Sequence, residues 1–208
     1  MKLKAFTLAE VLIALVVIGV VAAITVPTIT AGTKRTEYSS RLKKFYATLN
    51  QAQTRAYALG ESWDIWCEDT GKDYDTSTKT TQAFAESYLL PHVVAAKKGV
   101  ENGKYTIHLN DGTSFYMTKE QCLHFFFDVN GGKKPNVSGR DQYRYTYCPL
   151  TIDKKLIDAQ PGVLIAYPWQ AGKTRNEAKK ACKSSPDTCS KLLMMDSWEY
   201  KADYPHKI

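Results

Sequence analysis

The sequence predicts an α+β fold in which one long N-terminal helix, apolar in its first half, packs on an antiparallel β-sheet. Three features of the 208 residues lead to this prediction. An uncharged apolar run lies near the N-terminus, an apolar stripe with helical spacing follows it, and short alternating segments bounded by turn residues fill the rest. Charge is divided in the same way: residues 1–31 hold three charged side chains, whereas the whole chain has 28 basic and 21 acidic residues.

The apolar run from Val11 to Val26 contains no charged residue. As a helix it would be roughly 24 Å long, and the longer stretch from Phe6 to Ile29 has about 24 residues, enough to cross a bilayer with some tilt. A secretory signal peptide cleaved near Ala31 and an ordinary signal anchor both fit this run. Glu10 favours a third interpretation, in which the helix belongs to a protein whose neighbour supplies a positive charge. A carboxylate at the start of a membrane helix costs free energy unless it has such a partner.

The segment Lys4-Ala5-Phe6-Thr7-Leu8-Ala9-Glu10-Val11-Leu12-Ile13 resembles the leader and methylation motif of type IV prepilins and type II secretion pseudopilins. In that family a short basic leader ends in a small residue, usually glycine. A phenylalanine follows as the first mature residue, and a glutamate is the fifth. The resemblance implies a leader at residues 1–5, cleavage between Ala5 and Phe6, and N-methylation of Phe6. Ala5 departs from the usual glycine but is also small.

The resemblance also assigns roles within the helix. Glu10 would act in assembly by attracting the cationic α-amine of Phe6 on a subunit already in the filament, since pairing of opposite charges is strong in a low dielectric. Gly19 and Pro27 lie where many pilins have a helix-loosening glycine and a kink-forming proline. Residues 6–31 would form the transmembrane or filament-core half of the helix.

As a function, the resemblance implies a structural subunit, namely a pilin, minor pilin or pseudopilin of a type IV pilus or type II secretion filament, and not an enzyme. Its partners would be the prepilin peptidase, the inner membrane and other pilin subunits. It would cross the inner membrane once, with its head outside the cytoplasm, before joining a pilus or periplasmic pseudopilus. The alternative is an exported monomeric binding protein held by a signal anchor. Loss of the leader, with Lys2 and Lys4, would lower the formal net charge of +7 by two.

The second half of the helix is predicted to be amphipathic over residues 32–60. Its apolar side chains recur at steps of three and four, so they form one stripe that fits a sheet surface. Gly60 is a natural stop, and one helix is therefore predicted from about Leu8 to Leu59. The stripe consists of Tyr38, Leu42, Phe45, Leu49, Ala52, Ala56 and Leu59.

Residues 61–208 are predicted to form a single α+β head. Asn110-Asp111-Gly112 between two alternating segments is a hairpin signal, because these residues favour tight turns. Short helices are predicted at residues 81–90, before Pro91, and at residues 176–183. The predicted strands cover residues 105–109, 113–117, 123–129, 143–147 and 163–167.

The five cysteines would all lie in an oxidising compartment if the head is exported, and disulfides persist there. Cys182 and Cys189 enclose a short, turn-rich loop and are the expected disulfide; this loop resembles the C-terminal disulfide loop of many pilins. Spacing does not choose how Cys67, Cys122 and Cys148 pair.

The sequence predicts no metal or cofactor other than a candidate calcium site. Zinc is disfavoured because the sequence has no C-x2-C pair and its histidines are scattered. The stretch from Asp128 to Asn136 opens like a calcium loop, but Gly139 stands where an EF-hand requires a bidentate acid. A plain turn held by Asn and Asp side chains competes with calcium binding.

Neither catalysis nor DNA binding has strong support in the sequence. Gly172-Lys173-Thr174 ends like a phosphate-binding loop, but Tyr167 occupies the place of the required first glycine. The basic, tyrosine-rich segment Tyr143-Arg144-Tyr145 admits phosphate contacts with DNA. Alternation of tyrosine and arginine on the two faces of a strand is the interpretation favoured over DNA as a partner.

Overall fold

The computed structural model describes residues 7–64, 78–120, 122–150, 162–168 and 172–208. Its longest element, helix α1, runs from Leu8 to Ala58 and has 51 residues, which corresponds to roughly 77 Å. This confirms the long predicted helix. Gly60 adopts a φ of +78° just after the helix end, the left-handed conformation in which glycine commonly ends a helix.

In these described ranges six antiparallel strands form one sheet, and strands that neighbour each other in the sheet also follow each other along the chain. The strand order is therefore that of a meander. Together with α1, the sheet confirms the α+β, pilin-like class. The strands are β1 (Ala95–Glu101), β2 (Lys104–Leu109), β3 (Ser114–Lys119), β4 (Leu123–Asp128), β5 (Gln142–Tyr147) and β6 (Leu164–Ala166).

Short helices precede and follow the sheet. Helix α2 (Thr78–Phe84) continues as one π-helical turn (Ala85–Leu89), so it starts three residues before the predicted helix. Helix α3 (Arg175–Ser184) matches the second predicted helix. A 3₁₀ turn (Pro186–Thr188) and helix α4 (Cys189–Met195) follow it; neither was predicted.

The core lies between the second half of α1 and one face of the sheet. The predicted stripe is buried from Tyr38 to Ala56, and Phe45 is its centre. The Phe45 ring stacks on Phe127 with centroids 3.9 Å apart and approaches the ring of Tyr145 edge-on. Leu59, the predicted end of the stripe, is 68% exposed instead, because α1 ends before it.

The C-terminal segment packs against the same core through aromatic rings. The Trp198 indole lies 5.4 Å from the Tyr145 ring and 5.1 Å from the Tyr46 ring, centroid to centroid. The hydroxyl of buried Tyr200 donates a hydrogen bond to that of Tyr143 at 2.6 Å. Buried hydroxyls require such partners, because an unpaired one costs free energy. Residues 196–204 therefore belong to the folded head.

The part of the head that the structure describes contains two disulfides. Cys182 and Cys189 join α3 to the start of α4, the pair expected from the sequence. Cys122 and Cys148 join the start of β4 to the end of β5, a pairing that spacing had left open. The register explains this second pair, because the adjacent residues Leu123 and Tyr147 are cross-strand partners. Cys67 lies outside the described residues.

The alternating segment in β5 has two faces, as the favoured interpretation requires. Tyr143 and Tyr145 are buried in the core. Arg144 lies on the opposite face, where its guanidinium is 4.8 Å from the Phe126 ring centroid and 3.7 Å from that of Tyr167. Cation–π contacts of this kind hold a cation within the fold. The pattern thus arises from strand geometry.

His124 is a buried titratable group on this opposite face of the sheet and is only 3% exposed. Its Nδ1 lies 2.9 Å from the Thr146 hydroxyl, and its Nε2 lies 3.3 Å from a Glu120 carboxylate oxygen. Burial, with a smaller effect from the Arg144 charge, lowers the pKa of His124 to about 3. The folded head therefore holds this ring neutral.

We expect acidification from pH 7 to pH 5 to lower the free energy of unfolding by about 2 kcal/mol, because unfolded His124, with a pKa of about 6.5, binds a proton that the folded ring rejects. The stability that depends on a neutral His124 is fully present above pH 6.5 and is lost as the pH falls toward the pKa of the folded state. Urea unfolding of the full chain in detergent, followed by tryptophan fluorescence, measures it. In His124→Gln most of this decrease in the free energy of unfolding should disappear, whereas His108→Gln should show the full decrease. A full decrease in His124→Gln would contradict its attribution to His124.

Candidate assembly site on the N-terminal helix

The start of α1 is closed by hydrogen bonds between Thr7 and Glu10. The Thr7 side chain accepts a bond from the Glu10 backbone N–H at 3.3 Å. In return, Oε2 of Glu10 accepts bonds from the Thr7 backbone N–H at 2.8 Å and from the Thr7 hydroxyl at 2.7 Å. This reciprocal arrangement is a capping box, which satisfies backbone donors that a helix start leaves unpaired.

Thr7 is a site residue that the sequence analysis missed. Its signal is the spacing Thr7-Leu8-Ala9-Glu10 before an apolar run, the S/T-x-x-E pattern of a capping box. The carboxylate that the prepilin resemblance assigns to assembly thus also has a bonding role inside its own chain. Because the three bonds lie within one helical turn, they require no contact from the head.

The apolar half of α1 is exposed from Leu8 to Thr25, and no side chain in this segment is buried. Leu8 is 79% exposed, Leu15 61% and Ile24 67%. Monomeric soluble proteins rarely expose a continuous apolar surface of this kind. Its 18 residues would extend roughly 27 Å, close to the thickness of a bilayer core. The segment therefore fits either lipid or other apolar helices.

The hydroxyl of Thr25 is satisfied within the helix. The Thr25 hydroxyl donates to the carbonyl oxygen of Val21 at 2.9 Å. Glu10 is the only charged residue between Phe6 and Thr33. In hydrocarbon, where water is absent, backbone groups must find partners within the protein. The described contacts of the Glu10 carboxylate are its bonds to Thr7, which carries no charge to balance it.

The other predicted site residues are distributed as follows. Ala5 and Phe6 lie outside the described residues. Helix α1 continues without interruption past Gly19 and Pro27, and the kink assigned to them stays a prediction. Cys182 and Cys189 lie in the head, in the C-terminal loop.

Hydrogen bonds to the Asp128 and Asp141 carboxylates stabilise the loop that contains the candidate calcium site. Asp128 accepts hydrogen bonds from the Asn130 backbone N–H at 3.0 Å and the Gln142 side chain at 3.2 Å. Asp141, which is fully buried, accepts bonds from the backbone N–H groups of Asn136 and Val137 at 2.8 and 2.6 Å. These are the contacts of a turn built on Asp side chains; calcium binding there stays a prediction.

Within the described ranges, one group of potential metal ligands comes together: Cys182, Cys189 and His206. The two thiols are joined as a disulfide, and His206 Nε2 lies 2.9 Å from the Cys182 carbonyl oxygen. Metals bind thiolates, so this group is a structural contact in its oxidised form.

Two family descriptions match the chain. Residues 1–26 match the prokaryotic N-terminal methylation motif, and residues 28–208 match the family of unknown function DUF6613. No curated protein and no solved structure matches the chain significantly. The first match is the type IV prepilin signature and confirms the resemblance found in the sequence. It falls on the same segment as the capping box and the exposed apolar helix.

We predict that Thr7→Val weakens the start of α1 by about 1 kcal/mol, because valine keeps the size of threonine but lacks the capping oxygen. Hydrogen exchange at the Glu10 amide, measured on the full chain in micelles, should then be about fivefold faster. Thr7→Ser retains the hydroxyl and should exchange at the original rate. Equal rates in all three proteins would exclude the capping role.

Proposed function

We propose that this chain, which belongs to the DUF6613 family and carries the type IV prepilin signature, is a structural subunit of a type IV pilus or type II secretion filament. One observation carries the proposal. The methylation motif at residues 1–26 coincides with an apolar helix whose surface is wholly exposed. Such a surface requires a bilayer before assembly and neighbouring helices afterwards.

The motif indicates processing by a prepilin peptidase. Cleavage between Ala5 and Phe6 would remove Lys2 and Lys4 and create a new α-amine at Phe6. That amine is cationic near neutral pH, and N-methylation keeps it basic. The new charge would lie four residues before Glu10, at the same end of the apolar helix.

Assembly would use the Phe6 amine of one subunit and the Glu10 carboxylate of the next. Between two apolar helices, leaving either charge unpaired costs several kcal/mol, so pairing strongly favours the register that brings them together. The bonds from Thr7 satisfy Glu10 within a single subunit. They would support the carboxylate while the subunit still lies in the membrane and before a neighbouring amine reaches it.

The proposal also places the chain in the cell. The uncleaved and newly processed forms would be anchored in the inner membrane by the apolar half of α1, with the head outside the cytoplasm. An oxidising compartment there fits the two disulfides of the head. After extraction from the membrane, the apolar halves would form the filament core and the heads its surface. This role requires no catalytic group in the chain.

Substitution of Glu10 tests the proposal. Glu10→Gln keeps the side-chain size and one oxygen for Thr7 but removes the charge, so we expect at least a tenfold lower yield of the protein in sheared filament fractions. Membrane levels, and a mature N-terminus at Phe6 found by mass spectrometry, should not change. Glu37→Gln, which alters an exposed acid farther along α1, is the matched control.

Two results would contradict the proposal. Normal filament yield for Glu10→Gln would remove the assembly role from Glu10. A wild-type chain that is always monomeric, with a mature N-terminus near Ala31, would instead identify an exported binding protein.

A further inference from the structure

Four basic side chains lie on two segments near the junction between the apolar half of α1 and the head: Lys34 and Arg35 on α1, and Lys133 and Lys134 on the β4–β5 loop. Lys34, Lys133 and Lys134 are exposed, and Arg35 is partly exposed. None of the four forms an ion pair with another residue in the part of the chain that the structure describes. We call these four residues the basic collar.

Contacts between α1 and the β4–β5 loop fix the loop of Lys133 and Lys134 beside the part of α1 that follows Lys34 and Arg35. Arg41 donates a hydrogen bond from Nη1 to the Val129 carbonyl at 2.6 Å, and the Asn130 amide donates to the Tyr38 hydroxyl at 3.3 Å. The loop that carries Lys133 and Lys134 is thus fixed beside α1 within two turns of Arg35.

The β2–β3 turn supports the same loop. Gly131 has a φ of +69° and packs so closely on Gly112 that a Cβ atom would overlap its carbonyl oxygen. The base of the loop is therefore fixed on two sides. The exposed tip of the loop, which includes Lys133 and Lys134, comes directly after Gly131 in the chain.

Acidic side chains at this end of the head are committed to internal contacts. Glu37 pairs with Arg41 at 2.7 Å, Asp111 with Lys44 at 2.8 Å, and Glu199 with Lys43 at 3.3 Å. Asp128 and Asp141 accept the hydrogen bonds that hold the loop. Among the residues of this end that the structure describes, the charges that remain for an external partner are cationic, so that partner should be anionic.

The spacing from the apolar helix identifies the partner. Lys34 follows Thr25, the end of the candidate membrane span, by roughly 14 Å of helix. A headgroup layer is about 5–7 Å thick on each side, and the screening length at physiological salt is about 8 Å. Lys34 and Arg35 therefore lie within electrostatic reach of the membrane surface, and the loop with Lys133 and Lys134 is fixed about one to two helical turns beyond them.

We propose that the basic collar binds anionic phospholipid headgroups on the outer face of the membrane and so orients the head before assembly. This inference rests on the membrane-anchored state in the proposed function. Each cation near an anionic bilayer adds favourable energy that salt weakens. The collar would thus hold the head against the bilayer until extraction from the membrane separates the two.

Lipid selectivity of the reconstituted full chain tests the inference. Electron paramagnetic resonance measures the fraction of spin-labelled phosphatidylglycerol or phosphatidylcholine that is immobilised beside the protein. At low salt we expect about threefold or greater preference for phosphatidylglycerol, which should decrease at about 1 M salt. The combined variant Lys34→Gln, Arg35→Gln, Lys133→Gln and Lys134→Gln should lose most of this preference.

A charge-matched control is Lys79→Gln, Lys98→Gln, Lys180→Gln and Lys183→Gln, on α2, β1 and α3, and it should keep the preference. Lys2 and Lys4 are present in both variants, so their effect is equal. An equal loss in the control, or no preference in the wild-type chain, would overturn the inference. No immobilised lipid of either kind would instead overturn the membrane-anchored state, and thereby the proposed function.

Discussion

Exposure of the apolar half of α1 is the constraint on which the rest of the molecule depends. The segment Leu8–Thr25 has no buried side chain, and its hydrocarbon surface cannot remain in water at a tolerable free energy. Lipid and other helices of the same kind are the two environments that relieve this cost. Under the proposed function, Glu10 would distinguish an assembling subunit from a passive anchor, because its charge favours a cationic partner in either environment.

One helix joins this segment to a conventional core. From Tyr38 to Ala56, α1 buries a single stripe against the sheet, and burial of Phe45 alone contributes about 2 kcal/mol. The aromatic packing of Phe45 on Phe127 and Tyr145 fixes the helix on the strands. Because α1 is continuous, the position of the head determines where the apolar half, and thus Glu10, projects.

Local patterns in the sequence predicted much of this fold. The stripe around Phe45 and the stop at Gly60 fixed the bounds of α1 to within a residue, since helical period and a left-handed glycine are local signals. β1 was missed because Ala95–Glu101 is an exposed edge strand with lysines and no apolar alternation. The Cys122–Cys148 pair depended on the β4–β5 register, which spacing alone does not contain. The capping-box spacing of Thr7 and Glu10 is present in the sequence, but the bonds between them establish the capping role.

The distance between the Phe6 α-amine of one subunit and the Glu10 carboxylate of its neighbour tests the central claim most directly. It can be measured in a filament structure from electron cryo-microscopy. The account predicts a nitrogen-to-oxygen distance within about 4 Å, the limit for an ion pair. A filament in which each Glu10 keeps only its bonds to Thr7, with the neighbouring amines distant, would contradict the assembly role. So would a filament in which the apolar halves of α1 lie outside the core.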